Sequence, residues 1–151
     1  MLVQQILASK GSGEVITVTP ETSVADVTLV LSKHRIGSVV VSVNAKTAEG
    51  ILSERDIVRA MAMHGADIIN DPAAKHMTSK LVTCALGATA DHVLKTMTDK
   101  RFRHMPVVEG GELVGIVTIG DVVKARMTEL AMEKDALEGM IMGHEVLQLV
   151  L

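Results

Sequence analysis

The sequence has 151 residues, of which 48% are hydrophobic and 22% charged, and its net charge is −3. A chain of this length and composition can bury roughly two thirds of its unfolded surface, so one compact unit is expected and disorder is excluded. Phe102 is the single aromatic residue and the chain has no overall basic field, which excludes stacking platforms for single-stranded nucleic acid and aromatic membrane belts. We therefore expect neither nucleic acid nor a membrane as a partner.

The first residues, MLVQQILASKGSG, carry no basic segment ahead of their apolar positions, so they do not resemble a secretory signal. No apolar run approaches the roughly 18 residues needed to span a bilayer. Cys84 is the only cysteine, so no intrachain disulfide can form. These features predict a cytoplasmic location.

The first half of the chain has the pattern of a β-α-β-β-α unit. A β-branched stretch at Val15–Val18 predicts a strand, and Ser23 has the sequence context of a helix cap. Two strands are predicted at 37–43 and 49–53, and a closing helix begins at Ser53. The first helix is predicted from apolar residues at helical spacing, which are Val24, Val27 and Leu31.

The second half repeats this order of elements. A short strand is predicted at Leu81–Thr83, followed by a helix with apolar residues at helical spacing. Strands at 104–109 and 113–118 are joined by the turn signal Gly110-Gly111, and a last helix begins at Thr118. The apolar positions of its first helix are Ala90, Val93, Leu94 and Met97.

Two pairs of segments indicate a duplicated unit. GILSERDIV at 50–58 recurs as GIVTIGDVV at 115–123, and VITVTPETSVADV at 15–27 aligns with LVTCALGATADHV at 81–93. The join is marked by Asn70-Asp71-Pro72, since proline and the residue before it disfavour helix. We predict a first repeat at 1–72, a second at 73–130 and a helical extension at 131–151.

These residues resemble the cystathionine-β-synthase (CBS) domain pair, or Bateman module, over about residues 1–130. The resemblance rests on the tandem order, on a glycine-led strand ending in Ser/Thr-x-x-Asp in both copies, and on RHMPVV at 103–108. It implies an α+β fold with the repeats packed sheet to sheet. It also implies a regulatory module for an adenosine compound, namely AMP, ADP, ATP, NAD(H) or S-adenosylmethionine, and a homodimer that signals to an unknown regulated protein.

The resemblance further implies a ligand site in the cleft between the repeats. Asp56 and Asp121 would bind ribose hydroxyls in a shared groove, since a carboxylate can accept two neighbouring hydroxyl protons. Ser53 and Thr118 would lie near phosphate or ribose. The remaining positions that the resemblance assigns to the ligand are Thr17, Gly37, Ser38, Arg55, Thr83, Arg103, His104, Met105 and Pro106.

The Ser/Thr-x-x-Asp motif also has a purely structural explanation, because the same spacing forms a helix capping box. Both roles can coexist, with the hydroxyl capping and the carboxylate left for a ligand. The two copies differ: Arg55 lies within the first motif, whereas Arg103 and His104 lie at the start of the second strand of the second copy, where the first copy has Gly37-Ser38. If phosphate is bound, this predicts a cation from the helix start in one copy and from the strand in the other. Arg103 and His104 could equally be a solvated strand edge.

No residue pattern predicts catalysis or a metal site. The six histidines show neither paired zinc spacing nor HExxH, and Cys84 is predicted to be a small buried residue and not a nucleophile. A hydrolase acting on the bound nucleotide is disfavoured for want of a nucleophile and base or a carboxylate-metal cluster. No cofactor is predicted to be required.

Beyond the second motif the apolar residues Val123, Leu130 and Leu137 recur every seven positions. This stripe predicts a helix that either docks on its own core or forms a dimer contact, with the dimer slightly favoured. The leading hypothesis is a stand-alone sensor that binds an adenine nucleotide between its repeats. The alternative is a structural dimerisation protein whose clefts have lost ligand affinity.

Overall fold

The structure, a computed structural model, describes residues 1–11, 13 and 15–150, with side chains as far as residue 142. Leu151, at the end of the predicted extension, lies outside the described residues. A helix α1 (Val3–Ser9) precedes the first repeat. That repeat contains β1 (Thr17–Val18), α2 (Val24–His34), β2 (Ser38–Val41), β3 (Gly50–Ser53) and α3 (Glu54–His64).

A 3-10 helix (Ala66–Asn70) and α4 (Ala73–His76) connect the repeats. The second repeat contains α5 (Ala90–Lys100), β4 (His104–Glu109), β5 (Glu112–Thr118) and α6 (Ile119–Val150). This is the predicted α+β architecture of two tandem units. The helices α1 and α4 were not predicted, although Val3, Ile6 and Leu7 do have helical spacing.

The two repeats differ in their sheets. In the first, β1 pairs in parallel with β2, which pairs antiparallel with β3. In the second, β4 and β5 form an antiparallel pair, and the predicted strand at Leu81–Thr83 is wrong. Instead Cys84 alone makes a parallel bridge to Val107, through hydrogen bonds with the backbone on either side of it. The chain before Cys84 therefore crosses the edge of the sheet without joining it.

Each hydrophobic core includes a helix from the far side of the predicted boundary. Helix α1 belongs to the second core, where Val3 and Ile6 are buried against α5, β4 and β5. Helix α4 belongs to the first core through the fully buried Ala73, and Met77 packs beside it. The boundary at 72/73 therefore separates the repeats in sequence, but the packing crosses it in both directions.

The glycine that opens each repeated motif permits this crossed packing. A Cβ atom on Gly115 would lie 2.6 Å from Leu7 of α1, and one on Gly50 would lie 2.5 Å from Met77. Real Cβ atoms do not approach so closely, so a larger residue would force Leu7 or Met77 to shift. The motif glycines thus allow a neighbouring segment to lie flat on β3 and β5.

The first long helix of each repeat ends in the same way, on an arginine in the left-handed conformation. Arg35 has φ 53° and Arg101 has φ 58°. In both cases the next residue donates its N–H to the carbonyl five positions back, from Ile36 to Leu31 and from Phe102 to Met97. This is the Schellman ending, in which glycine is the usual left-handed residue.

Helix α6 runs without a break from the second motif to Val150, so residues 119–130 and the predicted extension belong to one element. At 1.5 Å per residue its 32 residues span about 48 Å. Its start is held by Val122 and Ala125 in the second core and by contacts of Glu129 with the N-terminal amine and Arg126. From residue 130 to 142 every side chain is exposed. Within the described part of the chain, no helix is both long and apolar enough to cross a membrane.

If α1 is an integral part of the second core, Ile6→Ala should lower the free energy of unfolding by about 2–5 kcal/mol, the range for truncating a large buried aliphatic side chain. Ile6 is 2% exposed, whereas Gln4 on the same helix is exposed. Urea denaturation of Ile6→Ala and of the control Gln4→Ala measures this difference. Equal stability of the two variants would show that α1 is not part of the core.

Candidate functional site

Two clefts lie between the repeats. The larger, about 770 Å³, is here called the α1 cleft, and the smaller, about 520 Å³, the linker cleft. Each cleft contains part of the Ser/Thr-x-x-Asp motif of one repeat. From the other repeat it contains residues near the start of that repeat and residues at the start of its second strand position. The clefts are therefore related by the duplication, and their differences show how the copies have diverged.

The α1 cleft takes Val15, Ile16, Gly37 and Ser38 from the first repeat and Thr118 from the second. Helix α1 and the chain after it close one side. The other described lining residues are Leu7, Ala8, Lys10, Gly11, Gly13, Arg35, Ile36, Leu86, His104, Val114, Gly115 and Ile116.

The linker cleft has the reciprocal composition. Ser53 and Asp56 come from the first repeat, while Leu81 and Val82 occupy the positions that Val15 and Ile16 hold in the other cleft. The segment between the repeats closes one side. The other described lining residues are Ile51, Arg55, Arg59, Thr78, Lys80, Lys100, Arg101, Phe102, Arg103 and His104.

The expectation that Asp56 and Asp121 share one groove is wrong. Asp56 lines the linker cleft, whereas Asp121 lies at the α1 cleft, bound to its lining residue Lys10. Because each motif faces the first residues of the opposite repeat, Val15–Ile16 or Leu81–Val82, the duplication places one aspartate at each cleft.

Both motifs form capping boxes, as the structural explanation of the spacing predicts. The Ser53 Oγ accepts a hydrogen bond from the Asp56 N–H at 3.2 Å, and the Ser53 N–H donates to Asp56 Oδ2 at 2.9 Å. Thr118 and Asp121 make the same two bonds at 3.2 and 2.9 Å. The bonds from Ser53 both go to Oδ2, and within the described residues Oδ1 of Asp56 accepts no hydrogen bond, so capping leaves that oxygen free for another donor.

Lys10 distinguishes the α1 cleft. Its Nζ donates to Asp121 Oδ2 at 2.8 Å and to the Ile116 carbonyl at 3.1 Å. Burial would raise the pKa of Asp121, but the hydrogen bonds from Lys10 and from the Thr118 N–H outweigh it and hold the pKa below its usual value. The carboxylate that corresponds to Asp56 is thus already neutralised by a residue of the chain itself.

The cations of the two copies lie in the same cleft. The sequence predicted one from the helix start and one from the strand, each for its own site, but Arg55 and Arg103 both line the linker cleft. Gly37-Ser38, which replace the strand cation, lie in the α1 cleft. The sequence differences between the two copies therefore place both cations in the linker cleft.

His104 lies in the wall between the clefts and lines both. Gly37 lies beside the ring, since a Cβ atom built on it would be in van der Waals contact with Nε2 at 3.4 Å. Burial lowers the pKa of His104, and the nearby Glu54 offsets only part of this effect. At neutral pH the ring is therefore uncharged and is a hydrogen-bonding group, in contrast to the basic role that the resemblance implies.

Four of the predicted site residues lie elsewhere. Thr17 and Thr83 do not line either described cleft, and the neighbouring Ile16 and Val82 do so instead. Met105 is 1% exposed within the second core, and Pro106 is buried in β4. Met105, Pro106 and Val107 are buried in succession, so this part of β4 lies in the core and does not reach a cleft.

Cys84 was predicted to be a buried residue and not a nucleophile. It is partly buried, packs on the second core and has its pKa raised to about 11 by burial, so the reactive thiolate is scarce at neutral pH. Among the described residues no group of three His, Cys, Asp or Glu side chains is placed to hold a metal ion.

Several lining residues were not predicted from the sequence. Lys10 was missed because α1 was missed, and Phe102 was noted only as the single aromatic. Arg59 lies three residues after Asp56, and Lys100 and Arg101 lie just before Arg103, but the two groups are about 40 residues apart and the fold brings them together. The run Lys-Arg-Phe-Arg at 100–103 is the sequence signal for this cluster.

Comparison with known proteins identifies the family. The CBS domain family matches residues 5–63 and 73–128, and the chain belongs to it. The crystal structure of the CBS-domain containing protein ATU1752 from Agrobacterium tumefaciens is 42% identical, with a TM-score of 0.79 over 83% of this chain and 99% of that one.

Two further structures of similar fold contain adenosine compounds. The CBS domain protein PAE2072 from Pyrobaculum aerophilum, complexed with AMP, is 27% identical with a TM-score of 0.74, over 87% of this chain and 99% of that one. The CBS domain pair of protein MJ0100, in complex with 5-methylthioadenosine and S-adenosyl-L-methionine, is 26% identical with a TM-score of 0.74, over 85% of this chain and 98% of that one.

Removing the Lys10 ammonium should raise the pKa of Asp121. Because the folded-state pKa lies below the unfolded value near 3.9, the pair stabilises the fold above that pH and the contribution is lost as pH falls through the folded pKa. Lys10→Met should therefore cost roughly 0.5–1 kcal/mol at neutral pH, the scale of a partly exposed ion pair. The deficit should shrink in acid below about pH 4.

The pKa of Asp121 is measured by carboxyl NMR titration and the stability by urea denaturation at several pH values. Lys33→Met serves as the control, since Lys33 is exposed and makes no ion pair in the described part of the chain. An unchanged Asp121 titration in Lys10→Met would refute the pair.

Proposed function

We propose that this protein is a regulatory module that binds an adenosine nucleotide in the linker cleft. One observation carries the proposal: this cleft combines an apolar surface, a carboxylate with an open oxygen and a set of cations within about 520 Å³. These three features are complementary to a base, a ribose diol and a phosphate respectively.

The apolar surface supports an adenine site. Ile51, Leu81 and Val82 line the cleft together with Phe102, which is the only aromatic residue of the chain. An aromatic face and aliphatic side chains provide the flat contact that a purine ring prefers. The placement of this single aromatic in the cleft favours a planar ligand.

The carboxylate supports ribose binding. The capping box fixes the conformation of the Asp56 side chain, which lines the cleft. Its carboxylate is therefore ordered before a ligand binds, and its Oδ1 is free to accept a hydrogen bond. Asp121, in contrast, is paired with Lys10 in the α1 cleft. We therefore assign the principal site to the linker cleft, with the α1 cleft weaker or dependent on displacement of Lys10.

The relatives support the ligand class. PAE2072 was crystallised with AMP, and MJ0100 with 5-methylthioadenosine and S-adenosyl-L-methionine, all of which contain adenosine. This chain shares their fold and their family. The role we propose is regulatory and not catalytic, with the ligand acting by favouring one arrangement of the repeats over another.

Asp56→Asn should weaken binding of an adenosine nucleotide by about 1.5–3 kcal/mol, because a hydrogen bond to a charged acceptor is lost. Isothermal titration with AMP, ADP, ATP, NAD and S-adenosylmethionine measures this. The matched control is Asp26→Asn: Asp26 occupies the same third position of a helix, its N–H is bonded to Ser23 in the same way, and it lines neither described cleft.

A loss of affinity in both variants would attribute the effect to helix capping, and a loss in neither would remove the ribose assignment. If no adenosine compound binds the wild-type chain, the alternative of a structural dimerisation protein is favoured. Thermal melting with each compound gives an independent reading, since a ligand of the folded state raises Tm.

We further propose that α6 joins two copies of the chain. Residues 130–142 are exposed, and their apolar side chains form an uncovered surface that includes Leu130, Leu137 and Ile141, at 53%, 60% and 60% exposure. Two such helices would cover each other's apolar stripes. The helix starts at Thr118, so this contact would be directly connected to the α1 cleft.

The variant Leu130→Glu/Leu137→Glu should shift the chain to a monomer, because paired carboxylates are too costly to bury in an apolar helix contact. Light scattering after size exclusion measures the mass. The control is Met132→Glu, which adds one charge beside the seven-residue stripe. A wild-type chain that is already monomeric at high concentration would refute the dimer.

A further inference from the structure

The linker cleft concentrates positive charge in a chain whose net charge is negative. Six of its lining residues are permanently cationic, and Asp56 is the only acidic side chain among the described lining residues. The whole chain has 15 lysines and arginines and a net charge of −3, so the cluster is a local feature and not a consequence of composition. The six are Arg55, Arg59, Lys80, Lys100, Arg101 and Arg103.

These cations have no acidic partner among the described residues. In the described residues none of the six lies within 4.0 Å of a carboxylate, whereas Lys10 in the other cleft is paired. Arg55 and Arg59 are four positions apart on α3, a spacing at which like charges repel. All six side chains are exposed, so they are free to meet an anion from solvent, and a bound anion would relieve their mutual repulsion.

Arg101 places one of these cations at the left-handed position that ends α5, where glycine is favoured. Its φ is 58°, and its side chain lines the cleft. Arg35 has the same conformation at the α1 cleft, so the backbone position is shared by both copies. What distinguishes Arg101 is its place among five other cations.

We propose that this cluster holds a di- or triphosphate tail, so that the linker cleft selects an adenosine di- or triphosphate over the monophosphate. The adenosine part of this inference rests on the proposed function, and the anion part on the cluster alone. Arg59, Lys80, Lys100 and Arg101 are the added binding residues, beyond Arg55 and Arg103 of the motifs. Guanidinium groups suit this task because they bind phosphate oxygens in pairs.

The α1 cleft lacks the corresponding charge. Its fixed cations are Lys10, which is bound to Asp121 and the Ile116 carbonyl, and Arg35, the counterpart of Arg101. Glycine and serine occupy the positions of Arg103 and His104. The same fold therefore supplies a matched cleft that should show no preference for a longer phosphate tail.

Isothermal titration in Mg²⁺-free buffer with adenosine, AMP, ADP, ATP and inorganic tripolyphosphate tests the proposal. ATP should bind the wild-type chain about tenfold more tightly than AMP, since each added phosphate gains charge-assisted bonds. The difference should narrow as salt rises from about 50 mM to about 500 mM, because exposed charges are screened. Tripolyphosphate should compete with ATP.

Arg101→Gly separates a ligand role from a structural one. Glycine is the favoured residue at this helix end, so the variant should melt no lower than the wild type, while its affinity for ATP should fall about tenfold and that for adenosine should not change. Arg35→Gly makes the same change at the equivalent position of the α1 cleft. It should keep the wild-type affinity for ATP.

The possible results distinguish a failure of the phosphate selection from a failure of the proposed function. If AMP and ATP bind equally well and both require Asp56, the phosphate selection is wrong and the proposed function stands. If tripolyphosphate and ATP bind with equal affinity and adenosine does not bind, the anion cluster is supported and the adenosine assignment falls. If ATP affinity is the same in Arg101→Gly and Arg35→Gly, the assignment of Arg101 is overturned.

Discussion

The structure depends on the crossed packing of two short helices. Helix α1 completes the core of the second repeat and α4 that of the first, so neither half can bury its own sheet face with the residues that its sequence copy contains. This constraint fixes the relative position of the repeats. It also creates the clefts, because each is bounded by a helix start from one repeat, a strand approach from the other and the chain that leads away from a crossing helix.

The crossed packing also explains why two related clefts have different chemistry. The segment after α1 brings Lys10 to Asp121, and the segment after α4 brings Lys80 into the opposite cleft, where Asp56 makes no ion pair within the described chain. One lysine thus neutralises the site acid, and the other joins a cluster of cations. A duplication that began with equal halves has in this way produced one self-paired and one positively charged cleft.

Much of this architecture is predictable from sequence. The repeat of Gly50–Val58 at Gly115–Val123, the strand pairs and the two capping boxes follow from local spacing and were confirmed. What local spacing does not contain is the partner of each element. Helix α1 is only seven residues long, so its pattern is weak, and with it Lys10 was missed. The assignment of Asp56 and Asp121 to separate clefts and the convergence of Arg55 with Arg103 are products of three-dimensional arrangement that no window along the chain reveals.

The second motif lies at the base of the long helix α6. Its first turn is capped by the same Thr118 and Asp121 that border the α1 cleft, and it continues unbroken to Val150, roughly 48 Å away. A stiff rod anchored at one end acts as a lever: a tilt of a few degrees at the base displaces the tip by several ångströms. In this geometry the release of Lys10 from Asp121 at the base would produce its largest displacement at the far end of the helix.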